Sequence, residues 1–113
     1  MNTYEIWVDL APDAQDLEFV DAVRRYLDHI ASSGNLASYR IRRRKFGFGP
    51  EVLGEFNISI EFEDLAQMDR AFGLAAARDE EIEPMHAAVY EKVRNFRSAL
   101  YRDFPDPVRI RSD

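Results

Sequence analysis

Charged and aromatic side chains share one face of the predicted strands, and their types suit the binding of a small organic molecule. Strand periodicity places Trp7 and Asp9 on one face of the first strand, and Arg42 and Arg44 on one face of the second. An arginine fork holds a carboxylate through two hydrogen bonds, and aromatic rings hold an apolar body. The sequence therefore predicts a ligand that is amphipathic or acidic. The candidate ligand-binding residues are Trp7, Asp9, Arg42, Arg44, Glu61, His86, Arg97 and Tyr101.

The chain has two histidines, the residue type whose side chain ordinarily titrates near neutral pH. His29 lies near the end of the first predicted helix, where a cation is favoured by the helix dipole. His86 lies in a later helix and could reach the rim of the sheet as a haem ligand or general base, although a structural role is the simpler interpretation. The chain contains no cysteine and no histidine or carboxylate pattern with metal-ligand spacing. We therefore expect neither a metal site nor a cofactor.

Basic residues are concentrated in one short segment. The segment 40–49, RIRRRKFGFG, contains five basic residues and no acidic one, whereas the whole chain of 113 residues has a net charge of −6. This bulk charge argues against a nucleic-acid partner. The glycines of GFGPEVLG do not match a phosphate-binding loop. We expect a loop anchored by Phe46 and Phe48, or alternatively a lid over the mouth of a pocket.

Membrane and secretory classes are not supported by the sequence. No apolar run approaches the roughly 20 residues of a membrane-spanning helix. The first ten residues, MNTYEIWVDL, lack the basic and apolar regions of a signal peptide. We expect a cytoplasmic protein with no membrane partner.

Hydrophobic periodicity predicts a β-α-β-β-α-β order, which is the ferredoxin-like arrangement of the α+β class. The helices should cover the apolar face of a four-stranded antiparallel sheet. We predict one domain over residues 1–104 and an extended tail over 105–113. Leu17 should begin the apolar stripe of the first helix, and Asp13 or Asp16 should cap it. The predicted strands are 4–10, 37–46, 55–63 and 95–103, and the predicted helices are 16–33 and 64–93, the latter broken between 73 and 79.

The other face of the sheet lacks a covering layer. If the last strand flanks the first, Trp7 and Tyr101 lie on neighbouring outer strands and form an aromatic patch. Such a patch is typical of an interface or a ligand site, although a solvated face with weak charge pairs is the alternative. Two copies packed sheet against sheet would cover this face. The sequence therefore predicts a homodimer.

The layout of the chain resembles the dimeric α+β barrel superfamily. The resemblance rests on the strand EFNISIEFE, the helix DLAQMDRAF, and the histidine-bearing segment PMHAAVYEKVRNFRSALY. It implies that two chains pair their sheets into an eight-stranded barrel, and it is closest to small uncharacterised bacterial families. Superfamily relatives include cofactor-independent monooxygenases, isomerases and binding modules. Their sites lie between sheet and helices or within the barrel.

Three functions are compatible with these observations. The first is a homodimeric module that binds the small organic molecule in a cavity between the sheets. The second is a cofactor-independent monooxygenase or isomerase that acts on a small aromatic substrate in the same cavity, with Asp9, Glu61 or His86 as the base. The third is a purely structural dimer without a ligand.

Overall fold

The structure is a computed structural model that describes residues 1–77 and 81–109. It confirms the ferredoxin-like order, with the second helical region divided into two helices. Pro107–Arg109 forms a short 3-10 turn after the last strand. The division of the chain at residue 104 stays a prediction. The elements are β1 (Asn2–Leu10), α1 (Asp16–Ser32), β2 (Ser38–Arg43), β3 (Phe56–Phe62), α2 (Leu65–Ala76), α3 (Ile82–Tyr90) and β4 (Val93–Arg102).

The four strands form one antiparallel sheet in the order β2-β3-β1-β4. β4 flanks β1 as expected, but β1 is an inner strand and not an outer one. In the central pair, Val8 lies opposite Phe56 and Ile6 lies opposite Ile58. Directly opposed residues point to the same side of a sheet, so this register collects the apolar side chains on one face.

The helices bury that apolar face. Val8, Val23, Phe56 and Phe62 are almost fully buried, and Phe19 of α1 is fully buried. The Phe19 and Phe56 rings meet edge to face with their centroids 5.2 Å apart. This contact fixes α1 across the β1–β3 pair.

The start of α1 differs from the prediction. Leu17 is 75% exposed, so the apolar stripe begins at Phe19. Gln15 is the N-cap residue and makes no side-chain capping bond, so neither Asp13 nor Asp16 caps the helix. The Asp16 side chain instead accepts a hydrogen bond of 2.7 Å from the adjacent Leu17 N–H, inside the first turn. A carboxylate at this position still stabilises the positive end of the helix dipole.

The second helical region also differs in its boundaries. Asp64 caps α2 by accepting a hydrogen bond from the Gln67 N–H. The helix then passes through Gly73 to Ala76, so no break occurs at Gly73. Residues 78 and 79 of the predicted break lie outside the described residues. α3 ends at Tyr90, because the chain has already entered β4 at Val93.

β2 is shorter than the periodicity predicted. It ends at Arg43, and Phe46 and Gly47 take positive φ values of 54° and 69°. Left-handed backbone cannot continue a strand, so the chain leaves the sheet as a β2–β3 loop over residues 44–55. In the part of the chain that the structure describes, no helix is long and apolar enough to cross a membrane. The cytoplasmic location stays a prediction.

The β2–β3 loop returns to the sheet through a glycine that has no room for a side chain. A Cβ on Gly54 would lie 2.3 Å from the carbonyl carbon of Val8, which is backbone and cannot move aside. By contrast, a Cβ on Gly73 in α2 would meet nothing within 4 Å. Substitution of Gly73 by alanine therefore serves as the control for the same substitution at Gly54.

We expect Gly54→Ala to lower the free energy of unfolding by about 1–3 kcal/mol, because the methyl group overpacks a buried position. Gly73→Ala should raise it by about 0.5–1 kcal/mol, since alanine is the better helix former. Urea unfolding of both variants measures the two effects. Equal stability of Gly54→Ala and the native protein would contradict the close contact between the loop and β1.

Candidate functional site

A polar groove lies on the sheet face opposite the helices. Its volume is about 670 Å³, and residues of all four strands line it. The groove brings together four of the residues predicted from sequence, namely Trp7, Arg42, Glu61 and Tyr101. Glu61 accepts a hydrogen bond of 2.9 Å from the Ser38 hydroxyl.

A chain of hydrogen bonds crosses the floor of this groove from β2 to β1. The Nε and Nη2 atoms of Arg42 donate to Asn57 Oδ1 at 3.0 and 2.7 Å. Asn57 Nδ2 donates to Glu5 Oε2 at 2.8 Å, and the Ser59 hydroxyl donates to the same carboxylate at 2.7 Å. The positive and negative groups are thus linked through neutral side chains of β3, and much of their bonding capacity is used within one chain.

Glu5, Asn57 and Ser59 were not among the candidate ligand-binding residues predicted from the sequence. They occupy odd-numbered positions at the strand period, as do Trp7 and Glu61, and this was the signal that could have found them. Their importance depends on the pairing of β1 with β3, because Glu5 lies opposite Ser59 and Trp7 lies opposite Asn57. Strand pairing is not visible in the sequence of either strand alone.

The aromatic patch predicted on this face does not form. Tyr101 lies opposite Thr3, whereas Trp7 lies opposite Arg97. The two positions on β1 are four residues apart, which corresponds to about 13 Å along the strand. Trp7 and Tyr101 therefore lie at opposite ends of the groove. Arg97 shares the face but lies outside the groove lining, on the exposed edge strand, where its Nη1 donates to the Phe96 carbonyl at 3.2 Å.

Asp9 lies where the pairing of β1 with β4 is irregular. Its carboxylate accepts hydrogen bonds from one backbone N–H and one side chain. Its Oδ1 accepts from the Glu55 N–H at 2.9 Å, and its Oδ2 accepts from Asn95 Nδ2 at 2.9 Å. The register of β1 against β4 shifts beside it, and Asn95 has a φ of 56°. The bond from Asn95, then the bond from the Glu55 N–H, and the charges of Arg94 and Arg44 hold the pKa of Asp9 below its usual value. In this position Asp9 ties together the ends of three strands.

Arg44 is engaged within the β2–β3 loop. Its Nη2 donates to the carbonyl oxygens of Pro50 and Leu53 at 2.9 and 2.6 Å. Phe46 and Phe48, which were predicted to anchor this loop, are 82% and 81% exposed. The arginine therefore anchors the loop, and the two aromatic rings face solvent.

His86 lies on the opposite side of the sheet from Trp7 and Arg42. There it lines an apolar cavity of about 320 Å³ between the helices and the sheet, hereafter the helix–sheet cavity. The His86 ring meets the Tyr26 ring edge to face, with centroids 5.5 Å apart, and stacks on Tyr90 at 6.1 Å. Burial raises the pKa of Tyr26, so its hydroxyl stays protonated at neutral pH. The residues predicted from sequence thus divide between two sides of the sheet.

The walls of the helix–sheet cavity are mainly aliphatic and aromatic. Tyr4 and Phe72 meet edge to face at 5.2 Å, and Phe62 lies 6.3 Å from Phe72. Among residues 1–77 and 81–109, no group of three histidine or carboxylate side chains is arranged to hold a metal ion.

Comparison with known proteins identifies the family. Residues 1–112 match the sequence profile of DUF6614, a family of unknown function. The chain belongs to this family. No curated protein matches the sequence.

The solved structures similar to this DUF6614 chain are ferredoxin-like proteins. SnoaB, a cofactor-independent oxygenase from Streptomyces nogalater, is 11% identical with a TM-score of 0.70, over 94% of this chain and 95% of SnoaB. A dabb family protein with a ferredoxin-like fold from Mesorhizobium loti is 17% identical with a TM-score of 0.61, over 92% and 97% of the two chains.

A dimeric ferredoxin-like protein of unknown function from Jannaschia sp. is 15% identical with a TM-score of 0.61, over 91% and 100% of the two chains. These likenesses establish the fold. The Jannaschia protein and a similar protein of unknown function from Bacteroides fragilis are dimeric with a ferredoxin-like fold, which agrees with the fold predicted from the sequence.

We expect Asp9→Asn to lower the free energy of unfolding at pH 7 by about 1 kcal/mol, because the amide accepts fewer and weaker bonds than the carboxylate. The folded-state pKa of Asp9 is lowered, so its contribution is present above the unfolded pKa of about 3.9 and is lost as pH falls through the folded value. Urea unfolding at pH 7 and pH 3 should therefore show a difference between variant and native protein that shrinks at pH 3. The exposed Asp13→Asn is the control, and a difference that is constant with pH would contradict this role.

Proposed function

We propose that this protein is a homodimer that binds a small aromatic molecule in the helix–sheet cavity of each chain. The observation that carries the proposal is the composition of that cavity. It is lined mainly by apolar and aromatic side chains and includes three residues with polar groups, Tyr4, Tyr26 and His86, of which Tyr26 and His86 lie near one another on its wall. Cavities that bind small molecules typically combine apolar walls with a few placed polar groups.

The chemistry of the cavity selects the ligand class. The rings of Tyr4 and Phe72 and the aliphatic residues of the sheet suit an aromatic body. The Tyr26 hydroxyl, kept protonated by burial, is a hydrogen-bond donor, and the imidazole of His86 adds ring nitrogens that can form hydrogen bonds. A neutral aromatic molecule with a hydroxyl group satisfies both sets of groups.

The polar groove on the other side of the sheet supports the homodimer. Its residues include Glu5 and Glu61 beside Arg40 and Arg42, so two copies facing each other can pair charges across the interface. Tyr101 on this face is 58% exposed, and β2 and β4 are edge strands. The neighbours of the same fold are dimeric. A second copy would therefore cover a face that the helices leave open.

The sequence predicted the ligand between the sheets, and we assign its main binding site to the helix–sheet cavity instead. The floor of the groove consists of charged and neutral polar side chains that already bond to one another, as Arg42 does to Asn57 and Asn57 does to Glu5. Placing an apolar body there would interrupt hydrogen bonds without burying much apolar area.

A second candidate function is a cofactor-independent oxygenase or isomerase acting in the helix–sheet cavity. It is favoured by the position of His86 beside Tyr26 and is consistent with the activity given for SnoaB. Of the three bases predicted from sequence, His86 alone lines this cavity. Asp9 and Glu61 face other parts of the protein and accept hydrogen bonds there.

Two variants test the ligand site, one that fills the cavity and one control outside it, with 1-naphthol as the probe. Ala75 lines the cavity from α2, and its neighbour Ala76 is exposed and lies outside it. We expect Ala75→Phe to weaken binding at least about tenfold, because the ring occupies the ligand volume, a loss equivalent to about 1.4 kcal/mol. Ala76→Phe should bind like the native protein. Isothermal titration calorimetry measures both.

Failure of the native protein to bind 1-naphthol, or equal binding by the two variants, would contradict this site and leave the structural dimer as the better hypothesis. Oxygen uptake by the same mixture distinguishes an oxygenase from a binding protein. An oxygenase consumes O₂ when 1-naphthol is added and loses this activity in His86→Gln, whereas a binding protein consumes none.

The homodimer is tested by light scattering. Ala99 lies opposite Glu5 at the centre of the polar face. The long side chain of Ala99→Arg can pair with Glu5 of its own chain, and its bulk would then project into the interface. We expect the native protein to have twice the chain mass of 13.1 kDa and Ala99→Arg to shift the population towards the monomer. Ala87→Arg on the exposed side of α3 is the control. A native protein of the monomer mass would refute the interface.

A further inference from the structure

A second concavity lies at one end of the sheet face, under the β2–β3 loop. Its volume is about 270 Å³, and Trp7 and Phe48 contribute its aromatic walls while Arg42 contributes a cation. We propose that this concavity, hereafter the loop-end site, binds a small aromatic carboxylate between Trp7 and Phe48 with the carboxylate on Arg42. This inference goes beyond the proposed function, since the helix–sheet cavity lies on the other side of the sheet.

The loop that forms the site is held in place by its own bonds. Arg44 fastens the carbonyl groups of Pro50 and Leu53, and a Cβ on Gly49 would lie 2.7 Å from Arg44 Nε. Gly54 packs against the backbone of Val8. The shape of the loop is therefore fixed before any ligand arrives, and a preorganised wall costs less entropy on binding.

The loop presents two phenylalanines that differ in position. Phe46 and Phe48 are about equally exposed, at 82% and 81%, and their rings meet edge to face at 6.4 Å. Phe48 lines the loop-end site, and Phe46 does not. A large apolar ring held in solvent at a concavity is a feature of ligand sites and interfaces.

The electrostatics of the site favour an anion. Three arginines, Arg42, Arg43 and Arg44, line it, and Glu55 is the one carboxylate among the described lining residues. Glu55 pairs with Arg43 at 3.4 Å, and Arg43 also pairs with Asp16 at 3.1 Å on the helix side. Arg44 is bonded to neutral carbonyl groups, and its charge also acts on the nearby carboxylate of Asp9.

Arg42 has donor capacity left for the ligand. Its Nε and Nη2 atoms donate to Asn57 and Ser59, whereas Nη1 has no hydrogen-bond partner within residues 1–77 and 81–109. A carboxylate on Nη1 would form a charge-assisted bond while the floor of the groove stays intact. The size of the concavity suits a single-ring acid, for which benzoate is the probe.

The experiment uses Trp7 as the reporter, because it is the single tryptophan of the chain. Titration of the native protein with benzoate should produce a saturable change in tryptophan fluorescence and in the single indole N–H resonance. Benzamide, which has the same shape but no charge, should bind at least about tenfold more weakly because it lacks the charge-assisted bond. Light scattering during the titration checks that the oligomeric state does not change.

Two matched pairs of variants locate the ligand. Phe48→Ala and Arg42→Gln should each weaken benzoate binding about tenfold, whereas Phe46→Ala, on the same loop, and Arg25→Gln, on the exposed side of α1, should leave it unchanged. Equal binding of benzamide and benzoate, an equal loss in Phe46→Ala, or no saturable response would each overturn the proposal. A change in oligomeric state that accounts for the signal would overturn it as well and would assign the concavity to the partner chain. Binding of 1-naphthol is measured separately, so failure here is distinguishable from failure at the helix–sheet cavity.

Discussion

The register between β1 and β3 determines the composition of both faces of the sheet. It sets Val8 against Phe56 on one side of the sheet and Glu5 against Ser59 on the other. A slip of one residue would turn every side chain of a strand to the opposite face, so the apolar core and the polar groove exist only together. Burial of the apolar face under α1 is what makes the correct register the stable one.

Charged side chains fix the ends of this sheet. Asp9 connects the start of β3 with the irregular start of β4, and Arg44 closes the β2–β3 loop on its own carbonyl groups. Both residues were candidates for ligand binding when the sequence was considered alone, because a carboxylate or an arginine beside aromatic residues has the right chemistry. In the folded protein their oxygen and nitrogen atoms are engaged in holding the backbone. Arg42, with similar surroundings in the sequence, keeps one terminal nitrogen available among the described residues.

The two sides of the sheet offer different chemistry to a ligand. The helix–sheet cavity is mainly apolar, with polar groups on Tyr4, Tyr26 and His86, and it suits a neutral aromatic molecule. The opposite face is polar and charged, which suits a second copy of the chain over its centre and an acid at its end beside Trp7 and Phe48. A four-stranded sheet with one helical layer thus presents an apolar cavity on one side and a charged surface on the other.

Local sequence patterns were sufficient to predict the fold, because the strand period shows in Phe56, Ile58, Ile60 and Phe62 and the helical period in Phe19, Val23, Leu27 and Ile30. The same patterns predicted which polar residues share the face with Trp7, since alternation along a strand is a property of the backbone. The folded structure was needed to show that His86 lies across the sheet from Arg42, that Trp7 and Tyr101 are at opposite ends of the groove, and that Leu17 is exposed. These facts depend on strand order, register and helix rotation, which are set by contacts between residues distant in the chain. A short stretch of sequence has no information on such contacts.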